Sequence, residues 1–188
     1  MKTYTIIGGV NGVGKSSLTG VLLAKDTQLG TVIDADKITA QLGGNRLMGG
    51  KVAVKKIDEC LAKGVNFTQE TTLSGTRTLK TIKKAIDLNY KIELYYIGVQ
   101  TVQESLNRIA NRVQKGGHNI PTDDVRRRYQ NRFKDLCSIL PYCNDAYFFD
   151  NENGFVQVAE YRNGQIFELT KTPPIWLQEL KDYLLNDY

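Results

Sequence analysis

Residues 8–18 read GGVNGVGKSSL and follow directly on the apolar run Tyr4-Thr5-Ile6-Ile7. Within this stretch, Gly9-Val10-Asn11-Gly12-Val13-Gly14-Lys15-Ser16 fits G-x-x-x-x-G-K-[ST]. The pattern fixes three things at once. It requires a buried strand before it, a glycine turn whose N–H groups point inward, and a helix starting near Lys15. Such a loop wraps phosphate: the helix N-terminus and the inward N–H groups attract the anion. Lys15 supplies a point charge toward the β and γ oxygens, and the Ser16 hydroxyl suits Mg²⁺. Gly9, Asn11, Gly12, Val13, Gly14 and Ser17 complete the expected nucleotide contacts.

The rest of the chain repeats the strand–helix rhythm. Lys2–Ile7 predicts the first strand and Lys15–Ala24 the helix after it. Thr31–Asp34 predicts a short second strand. Asp36–Lys63 reads as mostly helical, with turns expected at Gly43-Gly44 and Gly49-Gly50. Val65–Glu70 is a third strand, and Thr76–Leu88 carries apolar residues at helical spacing. KIELYYIGV (Lys91–Val99) is a fourth strand, followed by helices over Val102–Lys115 and Asp123–Leu140. Ala146–Phe149 is a fifth. Alternation of this kind implies a parallel five-stranded sheet in an α/β three-layer sandwich. Then the grammar changes. Phe155–Tyr161 and Gln165–Thr170 flank Asn163-Gly164, a strong hairpin signal. Pro173-Pro174 opens a last helix, Ile175–Leu185, and the hairpin and helix are expected to pack on the sheet.

A chain of 188 residues, 41% hydrophobic and 24% charged, suits one domain with a sizeable core. The three cysteines never form C-x-x-C, and with a single histidine they exclude a zinc site and a disulfide framework. Free thiols fit a reducing cytosol. The first apolar run stops at Gly8, too short for a signal peptide, and no stretch reaches the roughly 20 apolar residues of a membrane span. These features predict a cytoplasmic protein. The net charge of +5 comes from unevenly placed basic residues, and no recognised nucleic-acid motif accompanies it.

What the chain does with a held phosphate is read from the strand ends. The guanine-switch strings Asn-Lys-x-Asp and Asp-x-x-Gly are both missing. Ligands of an open parallel sheet gather beyond the strands' carboxyl ends. The second strand ends in Asp34-Ala35-Asp36. Alternate residues face opposite ways, so the two acids can divide two jobs: a base for an acceptor hydroxyl, assigned to Asp36, and a hold on Mg²⁺, assigned to Asp34. An N-cap role is the plainer alternative for either. The third strand ends in Gln69-Glu70-Thr71-Thr72-Leu73-Ser74-Gly75. Glu70, Thr71 and Thr72 suit a polyhydroxylated acceptor; a polar turn capped by Ser74 is the alternative. Arg108 and Arg112 share one helix face. Arg126, Arg128 and Arg132 flank the apolar stripe of the next helix, whereas Arg127 faces solvent. Two arginine-bearing helices joined by Gly116-Gly117 read as a lid over about 108–132, because guanidinium forks neutralise charge on transferring phosphate. His118, in the connecting loop, is expected to play a structural part.

Taken together, the phosphate loop, Asp-Ala-Asp, QETTLSG and GGHNIPTDDVRRRYQNRF resemble the zeta-toxin-like kinases over about residues 2–165, most closely the compact branch often labelled predicted ATPases. The resemblance implies a single P-loop kinase-like domain over 1–188, with the hairpin and helix over about 155–187 appended. It implies ATP and Mg²⁺ as cofactors and an antitoxin protein as a partner. Lys15 and Ser16 match the loop, Asp36 the catalytic acid, and Glu70 with Thr71 the acceptor side. Arg112 and one of Arg126 or Arg128 match the lid arginines; with Arg128 as the second, Arg108 and Arg126 face the nucleotide. The acceptor implied is a hydroxyl of UDP-N-acetylglucosamine. A kinase for a nucleoside or sugar acid, and a non-catalytic ATP-gated switch, are the alternatives.

Overall fold

A computed structural model describes residues 1–117 and 119–186. The chain runs β1 (Lys2–Gly8), α1 (Lys15–Ala24), β2 (Thr31–Asp34), α2 (Ala35–Gln41), α3 (Arg46–Lys63), β3 (Phe67–Thr71), α4 (Arg77–Asp87), β4 (Tyr90–Ile97) and α5 (Val102–Gln114). It continues with α6 (Thr122–Gln130), α7 (Arg132–Cys137), a single 3₁₀ turn, β5 (Asp145–Asp150), β6 (Val156–Arg162), β7 (Gln165–Glu168) and α8 (Ile175–Asn186). The strands lie in the order β2-β3-β1-β4-β5-β6-β7, the first five parallel and the last two antiparallel. This is an α/β fold of the P-loop kinase type. Among the described residues, no helix is long and apolar enough to cross a membrane.

Strand β1 is the pivot. Tyr4 and Ile6 enter one apolar layer with Phe67, Ile92 and Leu94, whereas Ile7 enters the other with Val13, Leu18, Leu22 and Ile97. Being buried on both faces explains why β1 reads as a continuous apolar run rather than an alternating one. The second layer is the one α1 closes, through Leu18 and Leu22.

Three expectations are corrected. Gly49-Gly50 does not turn the chain; both lie inside α3. Gly49 is there for closeness: a Cβ on it would sit 2.0 Å from Thr39 Oγ1, so α3 can cross α2 only with hydrogen at that position. The helix expected over Asp123–Leu140 divides at Asn131, whose side chain donates to Arg127 O at 2.9 Å and so competes for the helix's own carbonyls. The hairpin does not pack on the sheet. It joins its edge, pairing antiparallel with β5 and extending the sheet to seven strands. Asn163 and Gly164 both take positive φ, 50° and 81°, which suits the twist of a two-residue hairpin turn.

Helix α8 covers the β4–β5 side of the first apolar layer with Trp176, Leu177 and Leu180, all fully buried. The indole Nε1 donates to Asp150 Oδ1 at 2.9 Å, which anchors the segment leaving β5. The ring lies directly on Gly98, where a Cβ would meet it at 2.2 Å. Gly98→Ala is therefore expected to push Trp176 off the sheet and destabilise the fold by about 3 kcal/mol. Urea unfolding followed by tryptophan fluorescence should show the lower midpoint; an unchanged midpoint would mean α8 yields without cost.

Candidate active site

Register brings three strand ends to one line. Ile7 pairs with Glu70 and Gly8 with Thr71, while Asp34 pairs with Glu70 from the other side. Beyond these ends opens a cavity of about 610 Å³, lined by the loop, the start of α2, the end of β3 and arginines of α5 and α6. Residues Asn11, Gly12, Gly14, Lys15, Ser16 and Ser17 face it from the loop. Gly9 and Val13 sit beneath the loop instead. A Cβ on Gly9 would meet Ile97 O at 2.6 Å, and Val13 is fully buried. Gly14, at φ 97°, is the left-handed residue that lets α1 begin where it does.

Lys15 folds back over the loop, its Nζ donating to Gly9 O at 2.9 Å and Val10 O at 3.0 Å. Enclosure lowers its ammonium to about 8, although Asp36, Glu70 and Asp34 pull the other way. The lysine thus holds the loop's carbonyls until a better partner replaces them.

Glu70 lines the cavity but is turned toward α1. Along β3, alternation sets Thr68 and Glu70 toward α1 and Gln69 and Thr71 toward the opposite layer. Thr68 Oγ1 accordingly donates to Leu29 O at 2.6 Å. Glu70, only 8% exposed, accepts Ser16 Oγ at 2.7 Å and Thr19 Oγ1 at 2.6 Å. Burial raises its carboxyl pKa, and those two hydroxyls partly offset the rise. Asp34 is the N-cap of α2: its Oδ1 accepts Asp36 N at 2.9 Å and Lys37 N at 3.1 Å. Its Oδ2 lies 3.4 Å from Ser16 Oγ. Asp36 is exposed in the first turn of α2 and lines the cavity with Thr71 and Thr72.

The oxygens of Ser16, Glu70 and Asp34 are hard donors of the kind Mg²⁺ takes. No group of three or more His, Cys, Asp or Glu side chains suited to a metal occurs among the described residues. Two carboxylates and one hydroxyl suit a cation that shares its other positions with water and substrate phosphates, which is how Mg²⁺ is usually held.

Leu73 shapes the end of β3. It is a non-glycine residue at φ 63°, held there by burial and by Thr71 Oγ1, which accepts Leu73 N at 3.0 Å. Its side chain covers Gly8, where a Cβ would lie 3.2 Å from it. The TTLSG segment thus roofs the strand that carries the loop.

From α5 and α6, Arg108, Arg112 and Arg128 line the cavity. Arg128 Nη1 donates to the buried Asn11 Oδ1 at 2.7 Å, while its Nε is buried with no partner among the described residues. Arg108 pairs with Glu104 and donates to Asn151 O at 2.6 Å. Arg126 is exposed on α6 and does not line the cavity. Arg127 is exposed and pairs with Asp124 at 2.7 Å. Arg132 is structural, stacked between Tyr129 and Phe133 and paired with Glu179 at 2.6 Å. His118 lies outside the described residues.

Asn151 and Phe155 carry no motif, yet both touch the loop. Asn151 Nδ2 donates to Val13 O at 2.9 Å, and the Phe155 ring lies 3.2 Å from where a Cβ on Gly14 would be. The crevice rule, applied to the end of β5 as it was to β2 and β3, is the signal that points to them.

With this geometry in place, the comparisons have a frame. The Zeta toxin family model matches residues 47–148, more than half of the chain. The chain belongs to the zeta toxin family. An uncharacterised protein of Haemophilus influenzae is 32% identical over 126 residues, 64% of this chain and 88% of that protein. Among solved structures, the PezAT chromosomal toxin–antitoxin system of Streptococcus pneumoniae aligns over 100% of this chain and 88% of that one, at 14% identity and a TM-score of 0.65. The AvrRxo1-ORF1:-ORF2 complex with ATP aligns over 95% of this chain at 15% identity and a TM-score of 0.68, but this chain spans only 63% of that one. At such identities the likeness establishes the fold. Zeta toxin membership and this fold support a nucleotide-dependent, kinase-like activity.

The low pKa of Lys15 makes nucleotide affinity pH-dependent. Bound phosphate favours the ammonium, so the pKa rises on binding and a proton is taken up above the free-protein value of about 8. ATP affinity should be flat below that pH and weaken by up to about tenfold per pH unit above it. Calorimetry in two buffers of different ionisation enthalpy should detect the uptake; its absence at pH 9 would mean that Lys15 keeps its proton in the free protein.

Proposed function

We propose that the protein is an ATP- and Mg²⁺-dependent phosphotransferase that moves the γ-phosphate of ATP to a hydroxyl of a small polar metabolite. The observation that carries this reading is that one cavity gathers two kinds of chemistry. Its lining includes Lys15, the Ser16–Glu70 pair and the loop, together with Asp36, Thr71 and Thr72 and the arginines Arg108, Arg112 and Arg128.

The donor half binds. Loop N–H groups and Lys15 take the β and γ oxygens, and Asn151 and Phe155 flank the loop where the rest of the nucleotide would lie. Ser16, with Glu70 and Asp34 behind it, would hold Mg²⁺, which supplies charge neutralisation on the phosphates when bound. The acceptor half prepares the nucleophile. Asp36 accepts the acceptor's hydroxyl proton, and Thr71 and Thr72 orient neighbouring groups. Arg112 and Arg128, both on the cavity wall, neutralise charge on the phosphoryl group as it passes. Residues 108–132 serve as the lid of a single kinase domain that includes the C-terminal hairpin and helix.

UDP-N-acetylglucosamine is the first acceptor to try, on the family resemblance. A second protein acting as an antitoxin is a fitting partner, because the PezAT relative is a toxin–antitoxin system. A need for ATP would fit a cytoplasmic location.

The test is direct. Incubation with ATP, Mg²⁺, UDP-N-acetylglucosamine or a metabolite extract, followed by mass spectrometry, should yield a product heavier by one phosphate. Nucleotide binding without any adduct would instead favour an ATP-gated switch. Asp36→Ala should cut transfer on the order of 10³-fold while sparing ATP affinity; Lys15→Ala should lose both. Transfer retained in Asp36→Ala would remove Asp36 from the role of base.

A further inference from the structure

The turn leaving β5 is tied down at every residue that could reach the phosphate loop. Asp150 uses both carboxylate oxygens: Oδ1 accepts the indole Nε1 of Trp176 at 2.9 Å, and Oδ2 accepts Glu152 N at 3.0 Å. Between these anchors stands Asn151. Its main-chain oxygen accepts Arg108 Nη2 at 2.6 Å, and its side-chain Nδ2 donates to Val13 O at 2.9 Å. A carbonyl oxygen can only accept, so the amino end of the Asn151 amide is the one that faces it.

Val13 O belongs to the peptide that joins Val13 to Gly14. That unit is planar and trans, so its C=O and N–H point in opposite directions. With the oxygen turned to Asn151, the Gly14 N–H is turned the other way, and Gly14 lines the cavity. Local sequence does not hold this orientation. Reversing the peptide would change the sign of φ at the residue that follows it, and glycine takes either sign at little steric cost. Gly14 sits at φ 97°, and a Cβ there would meet Asn151 Nδ2 at 2.7 Å. The glycine that admits the Asn151 side chain is thus also the residue that leaves the peptide free to flip.

We infer that Asn151 is a positioning residue of the phosphate site: by holding Val13 O, it keeps the Gly14 N–H aimed at a phosphate oxygen of the bound nucleotide. It acts through this peptide and not by touching the nucleoside. A donor already in place needs no reordering when the anion arrives, and a peptide whose oxygen accepts a hydrogen bond is a stronger donor at its N–H. Flipped, the same peptide would turn its oxygen to the phosphates and repel them. The inference rests on the nucleotide-binding part of the reading above and adds to it a residue from the turn that α8 secures. Arg108 binds the main-chain oxygen of Asn151, so substituting the side chain isolates the loop contact.

The test titrates wild-type protein, Asn151→Ala and Asn151→Asp with ATP and with inorganic pyrophosphate, each with Mg²⁺, by calorimetry. Loss of one hydrogen bond to a charged oxygen should weaken ATP about tenfold in Asn151→Ala, and pyrophosphate by the same factor. Both ligands carry phosphates, but only ATP carries a nucleoside. Asn151→Asp keeps the side chain's shape and sets an oxygen against Val13 O where the donor stood, so it should lose more of both; it also serves should Asn151→Ala fail to fold. A second readout needs no variant. In ¹⁵N-labelled wild-type protein, bound pyrophosphate should shift the Gly14 amide resonance strongly, and an unmoved Gly14 resonance would overturn the inference. Weakened ATP with unchanged pyrophosphate would overturn it too, because Asn151 would then touch the nucleoside. Unchanged affinity for both ligands in Asn151→Asp would do the same while leaving the nucleotide site standing. Wild-type protein that binds neither ligand would overturn the nucleotide reading and this inference with it.

Discussion

A carboxylate buried at the end of β3 ties the phosphate loop to the sheet. Glu70 reaches α1 through Thr19 and the loop's Ser16, and both hydrogen bonds run between elements more than fifty residues apart in sequence. Hydrogen bonds to a buried carboxylate are stronger than neutral ones, and leaving such a group unpaired is expensive. Helix α1 can therefore take few positions relative to β3. That restriction propagates: the α1 N-terminus fixes the loop, the loop fixes Lys15, and the β1–β3 register fixes where Thr71 stands across from Gly8. A cation arriving at Ser16 would meet a carboxylate already aimed at it, and would offset the burial that raises Glu70's pKa.

The other side of the loop is held from β5. Trp176, seated on Gly98, binds Asp150; Asn151 next to it binds Val13 O and accepts Arg108. The C-terminal helix thus acts on the site without touching it, by setting the strand end from which Asn151 reaches the loop. This gives the appended hairpin and helix a physical reason to exist in a kinase-like chain. They extend the sheet at its edge and bury the aromatic residues that position the exit of β5.

Much of this was legible in the sequence because it depends on local pattern. The loop, the strand–helix alternation and the hairpin at Asn163-Gly164 each have a signature within a dozen residues. What failed to show depends on pairs distant in the chain. Gly49 and Gly98 look like punctuation, but each is small because another element, Thr39 or Trp176, lies against it. The acidic and polar character of QETTLSG was plain, whereas its division between two faces was not. That division needs the strand's exact extent, and β3 begins at Phe67 rather than at Val65. Asp34 illustrates a different ambiguity, since a cap and a cation ligand use the same side chain; here Oδ1 makes the cap and Oδ2 lies 3.4 Å from Ser16 Oγ.

Helix α6 is tied on two sides. Arg128 reaches Asn11 at 2.7 Å, so α6 lies over the loop. On the other side, Arg46 at the start of α3 meets Asp124 at 3.9 Å and Asn119 O at 3.5 Å. These contacts are long and exposed, of a kind worth little individually. They join the start of α3 to α6 and to the segment just before it, and ties worth only tenths of a kcal/mol let those elements part easily.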